Sequence, residues 1–143
     1  GIDSDSLLID AACMDLVRRP EVFDVIVAPN LFGDIVTDIG AIITGSMGLA
    51  SSANINPDTS VPSMFEPTHG SAPDIAGQGI ANPMAQILTG AMMLRHLGEH
   101  TAAADVDAAV LELLEQGEIL TPDLGGSSTT ESVGDAIAQL VSE

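Results

Sequence analysis

The first third of the chain contains two apolar segments with different patterns, one typical of a helix and one typical of a strand. Residues 5–19 ("DSLLIDAACMDLVRR") carry apolar side chains on more than one side of a helical projection, which predicts a largely buried helix ended by Pro20. Residues 23–28 ("FDVIVA") form a short β-branched run between Pro20 and Pro29. This run predicts a strand buried on both faces, as is typical of an α/β sheet.

Two asparagines are predicted to begin the central helices. Asn30 is placed to cap a helix over residues 31–43 with its side chain. Asn82 followed by Pro83 combines a capping side chain with a proline at the first helical position. We therefore expect a second helix, which Gly98 ends and whose apolar face consists of Met84, Ile87, Leu88 and Ala91.

Two further helices are predicted in the last third of the chain. The first ends at Gly117, and its apolar face comprises Val106, Val110, Leu113 and Leu114. The second begins with a capping box of Ser128 and Glu131, and its buried stripe comprises Val133, Ile137, Leu140 and Val141. The segment between these helices, "LTPDLGGSS", is predicted to be a loop.

Strands are scarce in the pattern. Besides residues 23–28, only residues 63–66 ("SMFE") predict a strand, and the small and polar residues 50–62 before them predict a loop. Strands that alternate with helices indicate the α/β class. Because a sheet of two strands is not stable alone, we expect the chain to be part of a longer polypeptide.

The charge balance is strongly acidic. The chain has 143 residues and a formal charge of −18, from 21 acidic and 3 basic residues, and it contains neither lysine nor tyrosine. A surface of this charge repels phosphate backbones, so nucleic-acid binding is excluded as a function class. The missing lysines favour a salt-adapted source, and the alternative is an acidic lineage without a need for salt.

The sequence also bears on location. No apolar run reaches the roughly 18 residues that would indicate a membrane span, and the N-terminus lacks the pattern of a signal peptide. The single cysteine, Cys13, excludes an internal disulfide and fits a reducing cytoplasm. Cys13 is predicted to be a structural thiol in a buried helix, and His96 and His100 are predicted to be surface residues near a helix end.

Asp34 and Asp38 are the first candidates for chemistry. They lie four residues apart on one predicted helix, so their carboxylates project from the same face, one turn apart. Mg²⁺ or Mn²⁺ would offset their repulsion, because these hard cations prefer carboxylate oxygens. Asp10 could supply a third oxygen from another element. The alternative is that both aspartates are solvated surface charges of a very acidic protein.

Residues 66–83 ("EPTHGSAPDIAGQGIANP") form a glycine-rich loop before a predicted helix. The glycines would let the backbone approach a ligand closely. Asn82 and the helix N-terminus after it offer N–H donors for a phosphate, Asp74 could accept hydrogen bonds from a ribose diol, and His69 could stack on a ring. The alternative is a plain connection between a strand and a helix.

Two stretches together are similar to a known family. "NLFGDIVTD" with the following "TGSMGLASSANI", and "FEPTHGSAPDIAGQGIANP", resemble the β-decarboxylating dehydrogenases, the isocitrate/isopropylmalate dehydrogenase family. The resemblance runs from about Asp10 to Ile137 and corresponds to the C-terminal part of the family's subunit. It implies an α/β fold that is the C-terminal part of the two-lobed isopropylmalate-dehydrogenase-like fold, not a Rossmann fold. Residues 1–44 would finish the dimer-forming lobe, with its metal-binding helix, and residues 45–143 would belong to the cofactor-binding lobe.

The resemblance implies oxidation of a malate-type 2-hydroxy acid by NAD, with loss of the β-carboxylate and help from Mg²⁺ or Mn²⁺. Asp34 and Asp38 match the family's metal-binding pair, and Asp10 matches the aspartate that the neighbouring subunit contributes. The family's catalytic tyrosine and lysine lie upstream, so no catalytic residue is expected in this chain, which would be inactive alone. The enzyme would be a cytoplasmic homodimer or homotetramer, with its active site in the cleft between the lobes.

The glycine-rich loop matches the family's adenosine-binding loop. The implied cofactor positions are Glu66, His69, Gly70, Ser71, Ala72, Asp74, Ile75 and Asn82. NADP-using relatives carry Lys-Tyr where this chain has Asp74 and Ile75, and a carboxylate would repel a 2′-phosphate, so the resemblance implies NAD. The substrate would be 3-isopropylmalate or tartrate/D-malate. The rival interpretation is a non-catalytic acidic nucleotide-binding module or regulatory subunit, which the lack of tyrosine and lysine favours.

Overall fold

Five α-helices and one two-stranded sheet make up the regular structure of residues 1–58 and 60–142, which are the residues that this computed structural model describes. The helices are α1 (Ile9–Arg18), α2 (Asn30–Ile43), α3 (Met84–His96), α4 (His100–Gln116) and α5 (Thr130–Val141). The strands are β1 (Ala53–Asn54) and β2 (Met64–Phe65), which pair antiparallel. Short 3₁₀ turns cover Pro20–Val22, Met47–Leu49 and Pro122–Leu124.

The chain divides into two units, Gly1–Gly45 and Ser46–Glu143. In the first unit, α1 packs against α2. In the second unit, α3 packs against α4, α4 packs against α5, and the sheet packs on α3 through β2. The boundary lies beside the one predicted after residue 44. The assignment of the units to a dimer-forming and a cofactor-binding lobe stays a prediction.

The core of the second unit lies where α3, α4 and α5 meet. Its buried cluster consists of Met84, Ala109, Val110, Leu113, Val133 and Ile137. Each of the three helices contributes to this cluster from its predicted apolar face, because the spacing of three and four residues keeps these side chains on one side of a helix. The stripe predicted for α5 fails at its end, where Val141 is 41% exposed beyond the last core contact.

Both predicted glycine stops are confirmed. Gly117 has a left-handed backbone with φ of 69°, and its N–H donates to the Leu113 carbonyl at 3.1 Å. This conformation closes α4 and is easy only for a residue without a Cβ. Helix α3 ends at His96. Gly98 follows two residues later, and its N–H donates to the Arg95 carbonyl at 3.2 Å.

Three predicted helix starts are displaced by one residue. Helix α3 begins at Met84, and Pro83 precedes it in place of being its first residue. Asn30 is the first residue of α2, not the cap before it. The capping box of α5 is formed by Thr129 and Ser132, not by Ser128 and Glu131. The Thr129 hydroxyl accepts from the Ser132 N–H at 3.1 Å, and the Ser132 hydroxyl accepts from the Thr129 N–H at 3.0 Å. At α5, neighbouring hydroxyl residues offer the same acceptor, so the local pattern does not distinguish Ser128 from Thr129 as the cap.

The predicted N-terminal helix is shorter and more exposed than expected. Helix α1 covers Ile9–Arg18 in place of residues 5–19, and none of its residues is buried. Leu8 is 77% exposed and Val17 is 63% exposed. The prediction of a largely buried helix is therefore wrong for this chain, because the described residues supply too little surface to cover its apolar sides.

The strand predicted at residues 23–28 is also wrong. Val25 is 84% exposed and Val27 is 95% exposed, and the sheet of the described residues pairs β1 with β2 alone. The run therefore has no neighbouring strand to supply ladder hydrogen bonds. The strand predicted at residues 63–66 is confirmed as β2, and the loop predicted at residues 50–62 contains β1. Residue 59 of that loop lies outside the described residues.

The surface carries few paired charges. Within residues 1–58 and 60–142 there are two ion pairs, Arg19 with Asp15 at 2.8 Å and Arg95 with Asp107. Both are exposed, so each contributes little to stability. The other carboxylates in this range have no basic partner within 4.0 Å. No helix of the described chain is both long enough and apolar enough to cross a membrane.

Candidate functional site

The connection between β2 and α3, residues 66–83, carries every predicted cofactor position and is named the 66–83 loop below. Two of these positions, Ile75 and Asn82, are half-buried. The others are exposed: Glu66, His69, Gly70, Ser71, Ala72 and Asp74. Two backbone hydrogen bonds hold the start of the loop. The Glu66 N–H donates to the carbonyl of residue 52 at 3.3 Å, and the N–H of residue 68 donates to the carbonyl of residue 50 at 3.1 Å.

A turn within the loop orients Asp74. Ala72 has φ of 42°, and it is the non-glycine residue with a left-handed backbone in the described chain. The Ile75 N–H donates to the Ala72 carbonyl at 3.1 Å, and Gln78 Nε2 donates to the Asp74 carbonyl at 2.7 Å. The Asp74 carboxylate stays exposed and bonds to no described residue, so it is free to accept from ligand hydroxyls. Backbone strain such as that at Ala72 is concentrated at ligand-binding loops.

His69 offers an accessible ring at the start of the same loop. Its Nδ1 lies 3.1 Å from the Gly70 carbonyl oxygen. Because a carbonyl oxygen can only accept, this contact places a proton on Nδ1 and leaves Nε2 of the neutral ring as an acceptor. The exposed ring is therefore able to stack on a ligand or to accept a hydrogen bond from one.

Asn82 is held at the end of the loop by both sides of its amide. Its Oδ1 accepts from the Met84 N–H at 2.9 Å, which is the capping role predicted for it, and Nδ2 donates to Asp123 Oδ2 at 3.0 Å. Gly48 lies directly against this side chain, since a Cβ at position 48 would be 2.6 Å from Asn82 Cβ. Asn82 therefore anchors the loop and keeps one amide hydrogen for a ligand.

Asp123 is a residue that sequence reasoning missed. Its Oδ2 accepts from the Ser46 hydroxyl as well as from Asn82. Partial burial raises the pKa of Asp123, but the Ser46, Thr121 and Asn82 side chains together lower it more, so the pKa lies below its usual value. The Thr121 hydroxyl oxygen is buried and has no hydrogen-bond partner among the described residues, so Ser46 and Asn82 supply the hydrogen bonds to this carboxylate. The surrounding "TPDLGG" predicts only a loop, so no local signal marks Asp123.

The predicted metal ligands lie on α1 and α2. Asp34 and Asp38 are both exposed and one turn apart on α2, and Asn30 Nδ2 donates to Asp34 Oδ2 at 3.3 Å. Asp10 is exposed on α1. Within residues 1–58 and 60–142 no group of three histidine, cysteine, aspartate or glutamate side chains is arranged to hold a metal ion, so one chain does not bring Asp10 together with the pair.

His96 and Cys13 differ from their predicted environments. His96 is half-buried and not a surface residue: its Nε2 lies 3.2 Å from Ser63 Oγ, and its ring centroid lies 5.4 Å from that of Phe65. This contact joins the end of α3 to β2 and has a structural role. Cys13 is half-buried on α1, since that helix is itself exposed, and His100 is exposed as predicted.

Comparison with known sequences gives one consistent result. The family model described as isocitrate/isopropylmalate dehydrogenase matches residues 1–137. The chain is 56% identical over 140 residues to the probable tartrate dehydrogenase/decarboxylase of Bacillus subtilis, covering 96% of this chain and 38% of the relative. It is 54% identical over 142 residues to the 3-isopropylmalate dehydrogenase of Thermobifida fusca, covering 99% and 39%. The chain thus spans about two-fifths of the length of these relatives.

Solved structures share the fold. The isocitrate dehydrogenase of Methylococcus capsulatus matches with a TM-score of 0.88 and 46% identity, over 94% of this chain and 40% of that one. A β-decarboxylating dehydrogenase of Thermococcus kodakarensis matches with a TM-score of 0.80 and 45% identity, over 94% and 39%. These matches confirm the predicted fold class: α/β, the C-terminal part of the two-lobed isopropylmalate-dehydrogenase-like fold and not a Rossmann fold.

Proposed function

The chain belongs to the isocitrate/isopropylmalate dehydrogenase family, and from this premise we propose that it takes part in the NAD-dependent oxidative decarboxylation of a malate-type 2-hydroxy acid. The proposed substrate is 3-isopropylmalate or tartrate/D-malate, because the names of similar relatives include both an isopropylmalate and a tartrate dehydrogenase. The chain would be the C-terminal part of an enzyme whose catalytic tyrosine and lysine lie upstream.

The exposed Asp74 carboxylate is the observation that carries the choice of NAD. It lies on the 66–83 loop, its backbone is held by Gln78, and no described group occupies its oxygens. A carboxylate so placed accepts hydrogen bonds from the two hydroxyls of an adenosine ribose. The same charge repels a 2′-phosphate group, which disfavours NADP.

Asp34 and Asp38 are the proposed metal ligands. Two exposed carboxylates on one helix face fit the donor preference of Mg²⁺ or Mn²⁺ and leave room for substrate oxygens. The cation, when bound, would stabilise negative charge on the oxygens of the substrate. Asn30 would hold one carboxylate in place through its 3.3 Å hydrogen bond to Asp34.

The proposal includes a second subunit. Because a single chain does not gather Asp10 with Asp34 and Asp38, we assign Asp10 to the metal site of a neighbouring subunit. The enzyme would then be a homodimer or a homotetramer in the cytoplasm. The largely exposed apolar side chains around α1, such as Leu8 and Val17, are consistent with further burial in that assembly.

The test of the cofactor proposal is the double substitution Asp74→Lys with Ile75→Tyr in the full-length enzyme. We expect the ratio of kcat/KM with NAD to kcat/KM with NADP to fall by about 100-fold or more, because a repulsive charge is replaced by an attractive one. Asp105→Lys on the exposed surface of α4 makes the same charge change away from the loop and should leave the ratio unchanged. An unaltered ratio in the double variant would refute the assignment of Asp74.

The rival proposal is a non-catalytic acidic nucleotide-binding module or regulatory subunit. It is favoured by the absence of lysine and tyrosine from all 143 residues. The two proposals differ in one measurement on the full-length polypeptide with Mn²⁺. A binding module would bind NAD and reduce none of it with 3-isopropylmalate, tartrate or D-malate, whereas the enzyme would form NADH with at least one of them.

A further inference from the structure

The second half of the 66–83 loop is tied to the first residue of α5. The Thr130 N–H donates to the Gly79 carbonyl at 2.8 Å. The Thr130 hydroxyl donates to the Ala81 carbonyl, one residue before Asn82. Two carbonyls of the loop are therefore bonded to a single residue that lies about 50 positions later in the chain.

These bonds are part of the cap of α5. The first amides of a helix have no partner inside the helix, so each needs an acceptor from elsewhere. The Thr129 hydroxyl serves the Ser132 amide, and the Gly79 carbonyl serves the Thr130 amide. The loop thus completes the helix start, and the helix start in turn fixes the loop.

The tie is anchored in the core of the second unit. One turn after Thr130, Val133 is fully buried, and Ile137 is 3% exposed. Both side chains pack in the cluster formed with α3 and α4. The residue that holds the loop therefore belongs to a helix that cannot shift without disturbing this core.

A second tie comes from the same part of the chain. Asp123, in the turn before α5, accepts from Asn82 at 3.0 Å and also from the Ser46 hydroxyl. Its carboxylate holds the residue that ends the loop, while Thr130 holds the residues just before it. Together, Asp123 and Thr130 fix residues 79–82 from one side; we name this pair the C-terminal clamp.

We propose that the C-terminal clamp positions the 66–83 loop for its nucleotide, so that Asp123 and Thr130 are positioning residues for cofactor binding. Neither residue needs to touch the ligand. Holding the loop in one conformation before binding removes the entropy cost of ordering it afterwards, which strengthens affinity. The inference rests on the proposed function for the identity of the ligand, NAD. The rigidity of the loop can be measured in the absence of NAD.

The test compares three variants in the full-length protein. Thr130→Val keeps the size and branching of the side chain and removes the hydrogen bond to Ala81. Thr130→Ser restores a hydroxyl at the same place. Thr129→Val is the matched control, because it removes a hydroxyl from the same helix start without touching the loop. Hydrogen exchange is measured for peptides covering residues 77–84, in which the Gln78 amide donates to the Ile75 carbonyl and the Met84 amide donates to Asn82 Oδ1. The dissociation constant of NAD is measured for each variant as well.

We expect Thr130→Val to speed exchange of these peptides about threefold to tenfold and to weaken NAD binding by a similar factor, with kcat at saturating NAD unchanged. Thr130→Ser should resemble the parent protein. Thr129→Val should lower the melting temperature without weakening NAD binding. If Thr130→Val fails to fold, Asp123→Asn provides the same two readouts from the other half of the clamp.

The outcomes separate this inference from the proposed function. Unchanged exchange in Thr130→Val overturns the clamp, and so does faster exchange with an unchanged NAD dissociation constant. A weakening of NAD binding by Thr129→Val equal to that by Thr130→Val also overturns it, because a general loss of stability would then explain both. If the parent protein binds no NAD, the proposed function fails, and faster exchange in Thr130→Val alone still supports the clamp.

Discussion

Asp34 and Asp38 show how much two residues can indicate when both their spacing and their exposure are known. The sequence places them four apart, and the structure places both on the exposed surface of α2. Their mutual repulsion makes a bound cation more favourable than it would be at a single carboxylate. Asn30 adds a donor to one of the two, and this contact could not be predicted while Asn30 was assigned to the helix cap.

The metal assignment predicts the effect of Asp38→Asn in the full-length enzyme. Loss of one negative ligand should raise the Mn²⁺ concentration for half-maximal activity by at least about tenfold and lower kcat, while NAD affinity stays the same. Asp24→Asn, also exposed in the first unit, controls for the loss of one charge. Normal turnover of Asp38→Asn at low Mn²⁺ would remove this residue from the metal site.

At the scale of elements, helices were predicted better than strands. An amphipathic helix makes its own backbone hydrogen bonds, so Leu113 or Ile137 marks it through spacing alone. A strand needs a partner, and residues 23–28 have none in the described chain. The β-branched run therefore forms no strand among the described residues, because β-branching favours an extended backbone only where a neighbouring strand pairs with it.

The Asp123 carboxylate connects three parts of the second unit. It lies in the Pro122–Leu124 turn and bonds to Ser46, which precedes the Met47–Leu49 turn, and to Asn82 at the end of the 66–83 loop. We therefore predict that acid weakens this contact. The folded pKa of Asp123 lies below the unfolded value of 3.8, so the ionised carboxylate stabilises the fold above about pH 4, and this stabilisation is lost as the pH falls through the folded pKa. The free energies of unfolding of the parent and Asp123→Asn should differ by less than about 1 kcal/mol at pH 7, because solvent still screens this partly buried carboxylate.

Urea unfolding between pH 7 and pH 3 measures this difference. The difference in free energy of unfolding between the parent and Asp123→Asn should be constant from pH 7 to about pH 5. It should become smaller below about pH 4. Asp105→Asn removes an exposed charge of α4 that has no described hydrogen bond, and it controls for the change in net charge. Parallel stability curves down to pH 3 would mean that Asp123 contributes no such contact.

For the whole molecule, charge is the dominant feature. With a formal charge of −18 and two ion pairs among the described residues, most carboxylates repel one another across the surface. Such repulsion opposes the compact state and weakens as salt shortens the range of the interaction, from about 10 Å at 0.1 M to about 3 Å at 1 M.

The salt-adaptation hypothesis predicts that the melting temperature rises by about 5 °C or more between 0.1 M and 2 M KCl. Sucrose at equal osmolality is the control, because it favours compact states without screening charge. An equal rise in sucrose, or no rise in KCl, would contradict the hypothesis. The acidic composition would then have no connection with a need for salt.

The sequence by itself determined what depends on neighbours along the chain. It placed the three helices of the second unit, the cap at Asn82 and the glycine stops, because these follow from spacing and from backbone conformation. It also carried the motifs of residues 30–38 and 66–83 and with them the family. These features are local, so they are legible without knowledge of distant contacts.

Only the tertiary structure decided which distant groups meet. Asp123 and Thr130 reach the 66–83 loop across 41 and 49 residues of sequence from the residues they bond, and neither stood out in its own segment. The exposure of Leu8 and Val27 likewise depends on which surfaces are present to cover them. Hydrogen bonds between remote residues and burial are properties of the packed chain, and for that reason periodicity and composition predicted the elements but not these contacts.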